Sequence, residues 1–193
     1  MFVCLFVFFR LEDIDEKAAL VDPFDNIREP TPYDHPDNPN IKFWALPQMG
    51  TKNFPVDTYC DEVQIGKYHV FLIFTATRFH EIDLKLATKL RSMCKEFFFI
   101  RTKIDEIVRA ERVKRRGSFN EEALLERIRA DCSVEVGHML RNTEDIFLIS
   151  NHCPAKWEFD RLIKAILDVL PRYQRETLTS SLGVLGSLKV GRR

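Results

Sequence analysis

Two short stretches carry the side chains best suited to holding a ligand. Thr102-Lys103-Ile104-Asp105 closes one apolar run, "EFFFI", and Ser150-Asn151 closes another, "DIFLIS". A carboxylate at the carboxyl end of a strand can accept two parallel hydrogen bonds, and one edge of guanine presents a matching pair of N–H groups. Adenine presents no such pair, so a buried Asp105 would reject it by being left unpaired. The stem of Lys103 can lie across a purine face while its ammonium ties the loop to the phosphate side. The backbone and hydroxyl of Ser150-Asn151 can complete a base pocket. The same residues also read as a turn or cap carboxylate at Asp105 and a solvated Lys103. Thr or Asn followed by Lys-x-Asp falls by chance in roughly one chain in fifteen of this size. Its position after the second of three buried strands, with Ser-Asn after the third, is what sets it apart.

Those positions depend on the elements around them. "HVFLIFTAT" (His69–Thr77), "EFFFI" and "DIFLIS" are near-continuous apolar runs, as strands covered on both faces require. "NIKFWAL" (Asn40–Leu46) predicts a further strand, and the segment before it, from Glu16 to Asn40, is dense in Pro, Asp and Asn and reads mostly as loop. "PQMGTKNFPVDTYCDEVQIGKY" reads as loop then a short helix. Glu81–Cys94 predicts a helix with Ile82, Leu84, Leu86, Leu90 and Met93 on one stripe. "EIVRAERVKRRGS" reads as a charged loop. Ser118 followed by Glu121 fits a capping box opening a helix whose apolar face starts with Leu124, Leu125 and Ile128. A last helix, "KWEFDRLIKAILDVLP", ends at Pro171. Strands alternating with helices at this spacing predict an α/β fold with a mainly parallel sheet and right-handed crossovers.

Composition narrows the function classes. The chain has 193 residues, 45% apolar and 30% charged, which predicts a soluble globular domain. Lys plus Arg (29) equal Asp plus Glu (29), so the basic surplus of a nucleic-acid binder is missing. Cys4, Cys60, Cys94, Cys132 and Cys153 are odd in number and lack a C-x-x-C, which predicts reduced thiols in the cytoplasm. The opening "MFVCLFVFFRLEDIDE" is too short an apolar run to span a bilayer and lacks the leading charge and cleavage site of a signal peptide. A buried strand fits it better. Arg109, Arg112, Lys114, Arg115 and Arg116 could meet acidic headgroups, but a solvated loop facing nearby acids is the simpler reading. His152-Cys153 has no partner ligands at zinc spacing, Glu81 and Asp83 suit a helix start, and no G-x-S-x-G occurs.

The stretches "TPYDHPDNPNIKFWALPQMGTKNFPVDTY", "FLIFTATRFHEIDLKLATKLRSMCKEFFFIRTKID", "SFNEEALLERIRADC" and "IFLISN" together resemble the GTP-binding domain of the interferon-inducible, immunity-related GTPases. The resemblance implies a Ras-like fold of the P-loop NTPase class, with helices on both faces of the sheet. It implies GTP or GDP as ligand, Mg²⁺ as cofactor, assembly with other family GTPases, and innate immune defence as a cytoplasmic protein peripherally associated with intracellular membranes. By position, Thr102, Lys103 and Asp105 match the family's base-reading motif, Ser150 and Asn151 match its second base-contacting loop, and Gly50 falls in its switch region. No metal ligand or catalytic residue carries over. The division it implies is an atypical segment over 1–29, an incomplete GTPase domain over 30–182 and a tail over 183–193.

Three departures bear on hydrolysis. The phosphate loop G-x-x-x-x-G-K-[ST], whose amides wrap phosphates while Lys and a hydroxyl serve phosphate and Mg²⁺, occurs nowhere in the chain. Ala45-Leu46-Pro47-Gln48 stands where the family has an aspartate before Leu-Pro-Gly, and Asn26-Ile27-Arg28 where its switch threonine is expected. A chain lacking these parts is expected to hydrolyse GTP poorly if at all. Two readings of the start stay open. Either "FVCLFVFF" refills the central strand slot and sets Glu12, Asp13, Asp15 and Glu16 where phosphates would sit, or Met1–Leu20 is foreign to the domain. Two functions also stay open: a guanine-nucleotide binder, or a nucleotide-independent module that co-assembles with intact relatives.

Overall fold

A computed structural model of the chain describes residues 2–4, 27–35, 38–115, 117–140 and 145–170. In chain order it runs β1 (Phe2–Cys4), β2 (Thr31–His35), β3 (Asn38–Ala45), α1 (Tyr59–Glu62), β4 (Val70–Thr75), α2 (Glu81–Ser92), β5 (Glu96–Arg101), α3 (Ile104–Lys114), α4 (Glu121–Val136), β6 (Ile146–Leu148) and α5 (Phe159–Val169). The strands form one sheet in the order β2-β3-β1-β4-β5-β6. Only β2 runs antiparallel, against β3; the remaining pairs are parallel. A first strand at the centre and one antiparallel edge strand make the expected Ras-like arrangement.

Phe2–Cys4 fills the slot between β3 and β4, with Val3 opposite Phe43 on one side and Val70 on the other. This much of "FVCLFVFF" takes the central position that one of the two readings of the start gives it. Glu12, Asp13, Asp15 and Glu16 lie outside the described residues, as do Asn26, Arg116, Pro171 and the tail.

Alternation along the strands splits the core in two. Phe71, Ile73, Phe99, Ile146 and Leu148 face α2, α3 and α4; Val70, Leu72, Phe98, Ile100 and Phe147 face α5. With both faces covered, each strand must be apolar throughout, which is why β4, β5 and β6 read as unbroken runs. The phenylalanines serve this packing: Phe79 meets Phe99 edge-on at 4.9 Å between ring centres, and Phe98 meets Phe147 at 5.5 Å.

Several expectations need correction. The segment read as loop up to Asn40 contains β2 and the first residues of β3. Pro32 breaks no ladder there because β2 is an edge strand. The charged stretch after Asp105 is not a loop but most of α3. Ile104 and Val108 bury one side of it, and Arg109, Arg112 and Lys114 belong to a helix whose other face is solvated. The cap of α4 is Asn120, whose side chain accepts from Ala123 N–H at 3.0 Å, rather than Ser118. In α2, Ala87 and Leu90 are buried, while Met93, just beyond its end, is 42% exposed and leaves the stripe.

Candidate functional site

Register places three strand exits side by side. Thr75, Arg101 and Leu148 align across β4, β5 and β6, so their following loops leave one carboxyl edge. The exits are stitched together. Thr102 N–H donates to Thr75 O at 2.9 Å, Ile149 N–H to Arg101 O at 2.9 Å, and Ile104 N–H to Ile149 O at 3.2 Å. The last of these bonds straps the segment bearing Asp105 to the one bearing Ser150 and Asn151.

Lys103 takes a left-handed conformation (φ 57°, ψ 33°) at the start of α3, a shape that costs a non-glycine residue about 1–2 kcal/mol. Completely buried Ile104 anchors the chain behind it. This kink sets Asp105 in the first helical turn, where the macrodipole favours a carboxylate. Asp105 lines a cleft of about 1140 Å³, together with Thr102, Lys103, Asn151 and His152. Its Oδ1 is buried and has no hydrogen-bond partner among the described residues. That oxygen caps nothing. Lys103 follows the plainer expectation: its side chain is exposed and its ammonium lies 3.8 Å from Glu106.

Ser150 does not line the cleft. It lies behind the wall, fully buried, and its Oγ also lacks a partner among the described residues. Arg101 was missed in the sequence. It is 9% exposed, burial pulls its guanidinium below the usual range against the opposing pull of Cys132 and Glu135, and its Nη1 is unpartnered among the described residues. A charge ending an otherwise apolar strand was the available signal. Three orphaned polar groups thus gather where β5 and β6 end, against the general rule that buried polar atoms are paired.

The opposite rim is built from the turn after β3 and the start of α2. Tyr59 Oη–H donates to Pro47 O at 2.8 Å, and Gly50 N–H donates to Phe54 O at 2.8 Å. Gly50 has φ +86°, open to glycine but strained for other residues, and a Cβ there would lie 2.9 Å from Ile82 Cδ1. His80 N–H donates to Asp83 Oδ2 at 2.8 Å. Burial raises the Asp83 carboxyl, and the His80 backbone bond opposes that rise. Phe79 N–H donates to Glu135 Oε2 at 2.9 Å, tying this rim to α4.

The two ends of the cleft suit different groups. Asp105 offers a buried acceptor of the kind that the paired donors of a guanine edge would need. Among the described residues the β3 exit offers Mg²⁺ no carboxylate, since β3 ends in buried Ala45. No group of three or more His, Cys, Asp or Glu among the described residues could hold a metal ion.

A Ras-like sheet with a cleft at its carboxyl edge and an acceptor carboxylate after β5 is the architecture of the P-loop GTPases. The family "Interferon-inducible GTPase (IIGP)" matches this chain over residues 12–192. The chain is 36% identical over 168 residues to T-cell-specific guanine nucleotide triphosphate-binding protein 2 of Mus musculus, covering 87% of this chain and 40% of that one. It is 34% identical to Interferon-inducible GTPase 1 of Mus musculus, covering 87% and 41%, and 33% identical to Interferon-inducible GTPase 5 of Rattus norvegicus, covering 87% and 36%. The chain belongs to the interferon-inducible GTPase family. It spans about two fifths of the length of the relatives it matches. Among the described residues no helix is long and apolar enough to cross a membrane.

Proposed function

We propose that this chain binds guanine nucleotides by the base and is impaired in GTP hydrolysis. The carrying observation is the buried, unpartnered Oδ1 of Asp105 on a residue that lines the cleft. A carboxylate accepts from both guanine N1–H and the N2 amino group, two charge-assisted bonds whose loss is worth far more than an exposed contact. Thr102 and Lys103 fix the loop, and Asn151 closes the pocket from β6 with Ser150 supporting it from behind. Impaired hydrolysis follows from the missing phosphate and metal clamp, since phosphoryl transfer relies almost wholly on that clamp.

In this reading residues 30–182 form the nucleotide-binding domain, 1–29 an atypical leading segment and 183–193 a tail. Gly50 marks the switch region. The family's interferon-inducible character supports a role in innate immune defence, with other family GTPases and intracellular membranes as partners.

Asp105→Asn tests the proposal. One acceptor oxygen becomes an amide donor, which meets the guanine amino group donor to donor. Xanthine carries an oxo group at that position and accepts from the new amide. Calorimetric titration should show guanine affinity falling roughly 10- to 100-fold, with xanthosine binding improved. An unchanged guanine affinity sinks the proposal, and co-assembly with an intact relative in the absence of any guanine ligand would favour the interaction module instead.

A further inference from the structure

Resting on the base-binding reading, we infer that the ligand class of this cleft is the guanine nucleoside. The phosphates and Mg²⁺ of a bound nucleotide add nothing to affinity. The two ends of one ligand would meet very different surfaces. At the base end, the strapped loops after β5 and β6 hold a buried acceptor ready. At the other end, the requirements of a triphosphate are unmet in three independent ways.

A phosphate cradle is made from successive backbone N–H groups in conformations that glycine supplies. In a Ras-like sheet it follows the central strand, here β1. The first glycine in this chain is Gly50, so the stretch between β1 and the turn after β3 offers no glycine for that part. The intervening residues 5–26 hold six acids (Glu12, Asp13, Asp15, Glu16, Asp22, Asp25) against two bases (Arg10, Lys17). Metal bridging fails as well, because β3 ends in buried Ala45.

Charge around the cleft makes the same point. Among its described lining residues the formally charged ones are Arg28, Lys103, Asp83 and Asp105, two of each sign, with a sum of zero. Lys103 is engaged with Glu106. A neutral wall neither concentrates nor holds a polyanion, whereas a neutral nucleoside incurs no penalty there. Arg28, exposed, is the other cation among the described lining residues.

The test uses the whole 193-residue chain and compares guanosine, GMP, GDP and GTP by calorimetry, with Mg²⁺ and with EDTA. The inference expects the four affinities to be the same within the error of the measurement. Chelation should change none of them. Raising salt from low to high should leave guanosine and GTP equally unaffected, because no phosphate contact is there to be screened. Adenosine should bind more weakly than guanosine. A wider spread favouring GTP, or GTP affinity lost to EDTA, overturns the inference while leaving base binding in place. No binding by any of the four, in a sample whose circular dichroism shows a folded α/β chain, overturns the base-binding reading itself. Arg28→Ala adds a second handle. It should weaken GTP and guanosine equally or not at all, and a selective loss of GTP would show that the cleft does hold phosphate.

Discussion

The carboxyl edge of this sheet has two halves built to different standards. On the β5–β6 side, each loop is bonded to the exit of the strand before it and the core beneath is made of fully buried aromatic and branched residues. On the β1–β3 side, the sheet is equally continuous, yet its exits carry alanine, glutamine and a glycine-free chain. Backbone architecture is therefore shared by both halves, and the proposed binding chemistry belongs to one. A strand can take its place in a parallel sheet with any apolar residues, because pairing uses the backbone. A phosphate or metal clamp needs particular residues at particular positions and is lost one side chain at a time.

The largest expected effect strikes the completed half from beneath. Phe99 is fully buried in β5 and touches Phe79 and Phe97 through edge-on ring contacts. Phe99→Ala should cost about 3–5 kcal/mol in urea unfolding. Guanosine binding should fall only in proportion to the unfolded fraction, since Phe99 lies under the exit and not in it. A binding loss in fully folded protein would mean that the base loops are set by this packing, and the two halves would then differ in stiffness as well as chemistry.

A smaller effect concerns the free edge of β6. Leu148 N–H donates to Glu158 Oε2 at 2.7 Å, Arg129 Nη1 donates to Ile146 O at 2.7 Å, and Arg161 reaches both Ile146 O and Glu158. Side chains thus satisfy a strand edge that would otherwise invite another chain. Burial pushes the Glu158 carboxyl up, but the bonds from Arg129, Leu148 and Arg161 outweigh it and leave it below the usual range. A depressed folded value means that the contribution is present above the unfolded value near 4.5 and is lost as pH falls through the folded value. Glu158→Gln should cost about 1–3 kcal/mol at neutral pH. The gap between variant and parent should close as pH falls from the unfolded value through the lower folded one. A gap independent of pH would place the stabilisation in packing and not in the charge network.

How much of this was visible beforehand follows the same divide. β4, β5 and β6 were legible because two-sided burial forces continuous apolar runs. β2 was not: Pro32 and Asp34 look like loop, and only its edge position makes them compatible with a strand. In α3, two buried residues, Ile104 and Val108, are interleaved with charges that dominate local composition, so the helix passed for a loop. Ser118-x-x-Glu121 satisfied a spacing rule that Asn120 satisfies in space. At the site, residue types placed Thr102, Lys103 and Asp105 at a strand exit, since the apolar run ends there abruptly. Whether the Asp105 oxygen is paired, and that Ser150 sits behind the wall while Arg101 is buried beside them, depends on contacts between β5, β6 and α4. No local spacing encodes those contacts.

The smallest expected effect probes the unfinished half. Gly50 turns the chain after β3 with φ +86°, and an added methyl would stand 2.9 Å from Ile82 Cδ1 in α2. That neighbour is the mobile end of a half-buried side chain, so it can rotate aside, and most of the cost falls on the backbone. Gly50→Ala should therefore destabilise by about 1–2 kcal/mol in urea unfolding. Its effect on the base end is the informative part. Gly50 lies in the turn between the cleft-lining residues Met49 and Thr51, on a separate element from Asp105, and independent sites perturb each other by less than about 0.5 kcal/mol. Guanosine affinity should then stay within about twofold of the parent. A larger change would mean that the turn after β3 and the loop after β5 move together, so that the half without a phosphate loop still governs the half proposed to hold the base.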